Sequence, residues 1–266
     1  MKRTQSTQST RIATVALTAT AVAGAFLANP GEAADAPAKK GWETVASAGL
    51  TLTRGNSETF LGTLGVNSQR KWSADEILLG ANGGYGESTS KDPVDGSDEH
   101  NTTDQYAKGF GQWNHLFLEK LYGGLRVEGL YDEIAGVDYR FTISPLLGYY
   151  VIKNATTFLA FEGGPSLVLE NLAGPRQNAD QYLTLRLADR FEHKFSDKAK
   201  IWQTAEYLPR VTDFNDFILN VEVGVSAAIT SSVDLRVVLQ DTYDNVPAPG
   251  RKNNDLKLIA GVGYRF

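Results

Sequence analysis

The chain contains no cysteine among its 266 residues. This absence excludes a disulfide framework, a thiolate metal site and the cysteine that carries an N-terminal lipid anchor. An exported protein with this composition also avoids mispaired disulfides in transit.

Long apolar runs are missing as well. Beyond the N-terminus no stretch approaches the roughly 18 continuous apolar residues of a membrane-spanning helix, and no clear helical period interrupts the sequence. The hydrophobic content is nevertheless 42% and the mean hydropathy is −0.26, which is compatible with one large folded domain. If this chain crosses a membrane, strands must make the crossing.

The chain also lacks an excess of basic residues. It has 26 Lys and Arg against 31 Asp and Glu, a balance that argues against a nucleic-acid partner. Three of the basic residues stand before or at the start of an Ala/Val/Thr/Leu run over 12–28, which ends at Asn29, Pro30 and Gly31. This layout predicts a signal peptide over 1–33, cleaved near Ala33, rather than a membrane anchor, because the run is short and half Ala/Thr. A flexible spacer over 34–41 and a barrel over 42–266 follow; losing Lys2, Arg3, Arg11 and Glu32 changes the net charge from −5 to −7.

The stretch Asn253–Phe266 shows what is present instead. Leu256, Leu258, Ala260, Val262, Tyr264 and Phe266 share one parity, whereas Asp255, Lys257, Ile259, Gly261, Gly263 and Arg265 lie on the other. A period of two indicates a strand with one apolar face. Bacterial outer-membrane barrels commonly close on such a strand with a terminal aromatic residue, so we expect an outer-membrane location and recognition of Phe266 by the barrel assembly machinery.

About twelve strand-like runs recur between Gly41 and Phe266, at a spacing of about 19 residues, as in membrane barrels. The clearest alternation runs from Phe217 to Ile229. Every second connection is tight and polar, and the others are mostly longer. The longest is 88–102, followed by 171–179 and 246–254, and the short exceptions are 213–216 and the Gly55-Asn56 hairpin. The sequence therefore predicts an all-β fold, a transmembrane antiparallel up-and-down β-barrel of about 12 strands with short periplasmic turns and longer extracellular loops. Trp and Tyr near the strand ends are typical of interfacial girdles.

Several segments resemble a known family. They are GLTLTRGNSET (Gly49–Thr59), YDEIAGVDYR (Tyr131–Arg140), YDNVPAPGRKNNDLKL (Tyr243–Leu258) and the final GYRF. With these segments the chain resembles the salt-induced outer membrane proteins, a family of unknown function, from about Gly41 to Phe266. The resemblance implies an outer-membrane β-barrel with a link to salt stress. It implies no functional residues.

Charged residues on the opposite parity predict the lining of a lumen. The candidate lining residues are Arg126, Glu128, Arg140, Glu162, Arg186, Arg190, Glu222, Arg236, Lys257 and Arg265. If strands seven and eight pair at Glu170 and Asp180, Glu162 lies opposite Ala188, with Arg186 and Arg190 as diagonal neighbours. These charges form either a structural salt-bridge ladder or the wall of a narrow ion path. Because neither sign dominates, strong ion selectivity is not expected.

Three other motifs are weaker candidates for a catalytic, phosphate-binding or metal site. His115 and His193 lie near turns, where we expect interface residues rather than a hydrolytic dyad. Glycines at 80, 83, 84 and 86 lack the following helix of a phosphate loop. The loop Ser90–His100 carries Asp92, Asp95, Asp98 and Glu99, which favours a solvated acidic loop over a site for Ca²⁺ or Mg²⁺.

The sequence therefore predicts a monomeric outer-membrane barrel without catalytic residues, cofactor or metal, in contact with lipid and lipopolysaccharide. Its expected role is that of a narrow passive pore or a structural envelope protein linked to osmotic stress. Two alternatives stay open at this point, a lipid- or lipopolysaccharide-modifying enzyme and a soluble periplasmic barrel with an apolar core.

Overall fold

The computed structural model describes residues 41–53, 57–91, 97–173 and 179–266. The predicted signal peptide over 1–33 and nearly all of the spacer lie outside these residues. In the described part of the chain, no helix is long and apolar enough to cross a membrane.

Twelve antiparallel strands form a closed barrel in which each strand pairs with its neighbours in sequence, and β1 pairs with β12. The strands are β1 (Glu43–Thr53), β2 (Ser57–Lys71), β3 (Asp75–Lys91), β4 (Asp98–Leu116), β5 (Leu121–Asp132), β6 (Val137–Lys153), β7 (Thr157–Leu172), β8 (Ala179–Ser196), β9 (Ala199–Arg210), β10 (Asp213–Ala228), β11 (Val233–Asp244) and β12 (Asn254–Arg265). The predicted fold class and strand number are confirmed.

The two ends of the barrel differ in their connections. At the short-turn end, five connections of two to four residues join β2–β3, β4–β5, β6–β7, β8–β9 and β10–β11. At the opposite end, called the loop end, the longest fully described connection covers 245–253. Both chain-end strands have their outer ends at the short-turn end, since β1 begins there and β12 ends there.

Two predicted connections are wrong in extent. The strand pair β3–β4 continues to Lys91 opposite Asp98, so much of the predicted loop over 88–102 is strand. These residues are polar, but their backbone groups still extend the hydrogen-bonded ladder beyond the apolar belt. The connection expected at 213–216 lies instead at 211–212, and β10 begins at Asp213 with an irregularity before Phe217. Because extra residues at this irregularity interrupt the alternation, the sequence pattern misplaces the turn.

The apolar parity faces outward. Leu64, Leu147 and Leu258 are 70%, 62% and 60% exposed, and they belong to an apolar belt that runs around the barrel. Among the described residues, 26 polar or charged side chains are buried against 16 hydrophobic ones. This inversion of a soluble protein's pattern excludes the water-facing barrel with an apolar core.

Aromatic side chains mark both edges of the belt. Trp42, Trp113 and Phe195 are exposed at the short-turn end, and Tyr85 and Tyr131 are exposed towards the loop end. Amphipathic rings are stabilised at the boundary between hydrocarbon and water. The belt and its girdles leave the barrel interior as the place where polar chemistry is concentrated.

Candidate functional site

The interior of the barrel holds the candidate site. Six of the candidate lining residues are buried, each at most 8% exposed: Arg126, Glu162, Arg186, Glu222, Arg236 and Lys257. The side chains of Glu128, Arg140 and Arg190 are 13–14% exposed. Arg265 differs because it is exposed at the short-turn end, where it lines a cavity.

Glu162 on β7 is the centre of a buried hydrogen-bonded network. Its carboxylate accepts hydrogen bonds from Arg186 Nη1 at 2.9 Å, Tyr122 Oη at 2.8 Å and Gln112 Nε2 at 3.0 Å, and Arg190 Nη2 lies 3.1 Å away. Glu162 pairs with Ala188 in the register, so both arginines are its diagonal neighbours, as predicted. Two cations and two neutral donors together replace the water that a buried carboxylate loses.

The network continues from Glu162 in two directions. Arg186 also donates to Glu206 on β9 at 2.5 Å. In the other direction Gln112 donates to Asn114 at 3.0 Å, and Asn114 donates to Glu76 at 3.1 Å. We call this set the Glu162 network: Glu76, Gln112, Asn114, Tyr122, Glu162, Arg186, Arg190 and Glu206. It ties six strands together through their inward side chains.

Two ion pairs cross the lumen between strands that are not neighbours. Lys257 Nζ on β12 lies 2.8 Å from Asp104 Oδ1 on β4, four strands away around the barrel. Arg140 Nη2 on β6 lies 3.6 Å from Asp244 Oδ2 on β11, five strands away. Side chains from opposite walls therefore meet, and the interior is narrowed to side-chain width at these levels.

A cluster of aromatic rings fills one side of the interior near the short-turn end. The rings of Tyr122 and Tyr150 lie 4.7 Å apart, and Phe158 packs edge-on against Tyr150 at 5.5 Å. Leu146 and Ala160 complete the buried part of this cluster. Tyr150 donates to Glu76 at 3.3 Å, which connects the cluster to the Glu162 network. This side of the lumen is both packed and charge-paired.

The other side of the interior opens into a cavity of about 630 Å³ at the short-turn end, here called the vestibule. Inward residues of β8–β12 and β1 line it, among them Glu192, Lys194, Lys200, Asp234 and Arg265. Lys200 is paired with Glu192 at 2.8 Å. A space of this size admits several water molecules and hydrated ions.

An apolar cluster, here called the apolar constriction, lies one inward residue deeper on β9 than Lys200, which lines the vestibule. Trp202, Val238 and Ile259 form a buried cluster on β9, β11 and β12. Gly224 on β10 lies between Trp202 and Val238 in the register, and a Cβ atom at this position would collide with the indole ring. Glycine therefore lets the ring of Trp202 lie across β10 and narrow this side of the lumen.

At the loop end, the connection 245–253 reaches across the mouth of the barrel. Ala248 is buried, and a Cβ atom on Gly136 would lie 3.1 Å from the Ala248 side chain. Arg251 donates to the backbone oxygen of Glu133 at 3.4 Å. Gly136 has φ of 70°, a conformation that glycine adopts without strain. The loop and the β5–β6 turn thus meet over the mouth.

His115 and His193 lie outside this interior, at the girdle of the short-turn end. His115 Nδ1 lies 3.0 Å from Asp75 Oδ1, and the ring packs against Phe117 at 5.5 Å. His193 Nδ1 lies 2.9 Å from Thr157 Oγ1, and its ring packs against Phe195 at 5.0 Å. These contacts are those of amphipathic interface residues.

In the part of the chain that the structure describes, no group of three or more His, Asp or Glu side chains could hold a metal ion. Of the acidic loop, Asp92 and Asp95 lie outside the described residues. Asp98 and Glu99 are exposed at the start of β4.

Sequence reasoning missed the neutral members of the Glu162 network. These members are Gln112, Asn114 and Tyr122, which are buried. They carry no charge, and the candidate lining residues were chosen by charge. Their parity could have identified them, because Gln112 and Asn114 share the inward parity of Lys108 on β4. Glu206 and Asp104 were detectable by the same signal.

Comparison with known proteins places the chain among barrels. The model of a family described as "Protein of unknown function, DUF481" matches residues 46–266. No curated protein matches the chain.

Two solved structures are similar in fold. The NanC porin superposes with a TM-score of 0.53 at 8% identity, covering 84% of this chain and 100% of the porin. An outer-membrane channel from Pseudomonas putida F1 superposes with a TM-score of 0.51 at 12% identity, covering 90% of this chain and 99% of the channel. At these identities the likeness is one of architecture.

Proposed function

Because this chain belongs to the DUF481 family, whose description assigns no activity, we propose its function from its geometry: a narrow passive pore for ions and small solutes in the bacterial outer membrane. The observation that carries the proposal is the combination of an outward apolar belt with a polar interior that opens into the vestibule. The two similar structures are described as a porin and an outer-membrane channel, and their shared architecture supports the proposal.

The contents of the lumen set the expected size of the pore. The ion pairs Lys257–Asp104 and Arg140–Asp244 bridge the walls, and the apolar constriction adds a dry segment beside them. Hydrophobic constrictions limit conduction by excluding water. We therefore expect conductance steps that are small for a twelve-stranded barrel, with weak preference between cations and anions.

For the link to salt stress, we propose a role for the Arg140–Asp244 ion pair. Rising ionic strength screens charges that are partly open to water, and the side chains of Arg140 and Asp244 are 14% and 22% exposed. On this proposal, salt loosens the loop-end mouth, so conductance rises faster than the conductivity of the solution.

Planar-bilayer recording of the refolded protein across a series of KCl concentrations tests the pore. Discrete steps are the expected result. A barrel whose folding is verified by heat-modifiable gel mobility, yet which is silent at all salt concentrations, would contradict the pore. That outcome would favour the second candidate function, a structural envelope barrel, which the extent of the Glu162 network supports.

Location and assembly complete the proposal. The predicted signal peptide directs export, the loop end faces lipopolysaccharide at the cell surface, and the assembly machinery recognises β12 with its outward row up to Phe266. The enzymatic alternative, lipid or lipopolysaccharide modification, has a direct test. If alanine at both His115 and His193 abolished a measurable lipid turnover, the assignment as a pore without catalytic activity would be wrong.

A further inference from the structure

A carboxylate stands on the outward face of the barrel within the apolar belt. Asp189 on β8 has the parity of Leu187, which is 46% exposed, and of Phe195, which is 67% exposed. Asp189 lies six residues from the girdle residue Phe195, which is roughly 15 Å along the membrane normal for a tilted strand. The apolar band of such barrels is about 25 Å tall, so Asp189 lies near its middle.

Among the described residues, the side chain of this carboxylate has one hydrogen-bond partner. Gln203 Nε2 on β9 lies 3.4 Å from Asp189 Oδ1, longer than the usual distance of about 2.7–3.2 Å for an N–H···O hydrogen bond. The pair is surrounded by outward apolar residues, with Phe161 and Ala205 as the register partners of Asp189. A carboxylate in this position is destabilising when it faces lipid. Ionisable groups inside a membrane are therefore expected to face a partner or an aqueous space.

We propose that the outward surface around Asp189, Gln203 and Ala205 docks a second copy of this chain, related by a two-fold axis along the membrane normal. The inference rests on the membrane location proposed above, and it replaces the monomer expected from the sequence. The surface is self-complementary, because Asp189 offers acceptors and the Gln203 amide offers donors. Asp189 and Gln203 are in contact, so they lie at one depth in the membrane. A two-fold axis along the membrane normal can therefore place Asp189 of one copy opposite Gln203 of the other, and the reverse.

The shape of the surface is compatible with close approach. Ala205 lies directly beside Asp189 in the register and presents only a methyl group. Small residues allow backbones to approach and polar side chains to reach across membrane interfaces. Each copy would contribute one Asp189–Gln203 contact to its partner, so a symmetric dimer gains two.

The natural absence of cysteine allows a clean test by cross-linking. Ala205→Cys places a thiol on the proposed interface, and Ala81→Cys on β3 is its matched control. Ala81 is outward, lies six residues from the start of its strand as Ala205 does, and is on a strand six positions away around the twelve-stranded barrel. Both variants are refolded into lipid vesicles, and their folding is checked by heat-modifiable gel mobility before oxidation or treatment with a short thiol-specific cross-linker.

We expect cross-linked dimers from Ala205→Cys and only background from Ala81→Cys. Adding Asp189→Leu to Ala205→Cys should lower the dimer yield about tenfold, as expected from losing two polar contacts in a membrane interface. Equal yields from the two cysteine positions would overturn the proposal and leave Asp189 facing lipid. Cross-links in cells to a different protein alone would also overturn it. Protein that stays soluble without detergent would instead refute the membrane location, so the two failures are distinguishable.

Discussion

Glu162 and Glu222 are both buried glutamates on the inner face of the barrel, but the structure holds them differently. Glu162 is paired with two arginines, whereas Glu222 accepts hydrogen bonds from the neutral donors Trp202 at 2.7 Å and Gln240 at 2.9 Å. The first lies on the packed side of the lumen with the tyrosine cluster, and the second lies beside the apolar constriction over the vestibule. The Glu162 side is both packed and charge-paired, whereas the Glu222 side opens into the vestibule, so solute passage is expected along the second.

The largest expected effect distinguishes the two carboxylates by stability. Glu162→Gln removes the anion that Arg190 pairs with, while Arg186 keeps Glu206, and a buried charge that loses its partner costs about 3–5 kcal/mol. Glu222→Gln should cost about 1 kcal/mol, because the Gln240 amide can rotate to present its oxygen, which has no hydrogen-bond partner in the described structure. Urea titrations of the two refolded variants in lipid vesicles measure the difference, and equal midpoints would show that the charges of the network are not what holds it.

A second comparison concerns conductance. Trp202→Ala removes the ring that spans β10, and we expect single-channel conductance to rise by about twofold or more as the apolar constriction hydrates. Phe158→Ala is the matched control, since it removes an aromatic ring from the packed side and leaves the ion pairs of Glu162 in place. Planar-bilayer recordings measure both. A rise with Phe158→Ala and none with Trp202→Ala would place the path on the opposite side of the lumen.

The smallest expected effect is at the loop end. Asp244→Asn removes the 3.6 Å contact with Arg140, but Arg140 keeps its 2.6 Å hydrogen bond to Glu170. Stability should change by less than about 1 kcal/mol, as for partly exposed ion pairs. Conductance should increase at low salt and converge with that of the unaltered protein at high salt, where screening already weakens the pair. A difference that persists at every salt concentration would mean that Asp244 acts by shape rather than by charge.

Local pattern was sufficient for the strands and for contacts between adjacent strands. The pairing of Glu162 with Ala188 follows from parity and from one hairpin register, and both are visible in the sequence. Contacts such as Lys257 with Asp104 were not predicted, because they depend on the radius of the closed barrel and on which walls face each other across it. No spacing along one strand contains that information.

The same limit explains the vestibule and the constriction. Trp202 was not singled out, since its role depends on Gly224 on the neighbouring strand having no side chain. The loop over 246–254 was expected only as a connection, and its contact with Gly136 depends on the two segments being on opposite sides of the mouth. Asp189 could have been identified from the sequence, because it is a charged residue on the outward, apolar parity of β8.

The pairing between β1 and β12 consists of six residue pairs, from Val45 with Arg265 to Leu50 with Ala260, whereas β1 and β2 share eleven. This seam joins positions separated by more than 200 residues, the greatest distance along the chain of any strand pair. Non-local pairings of this kind slow folding, because the entropy of closing the intervening chain opposes them until late. We therefore expect the cylinder to be completed in a late zippering step, with both seam edges unpaired and open to association with other chains until then.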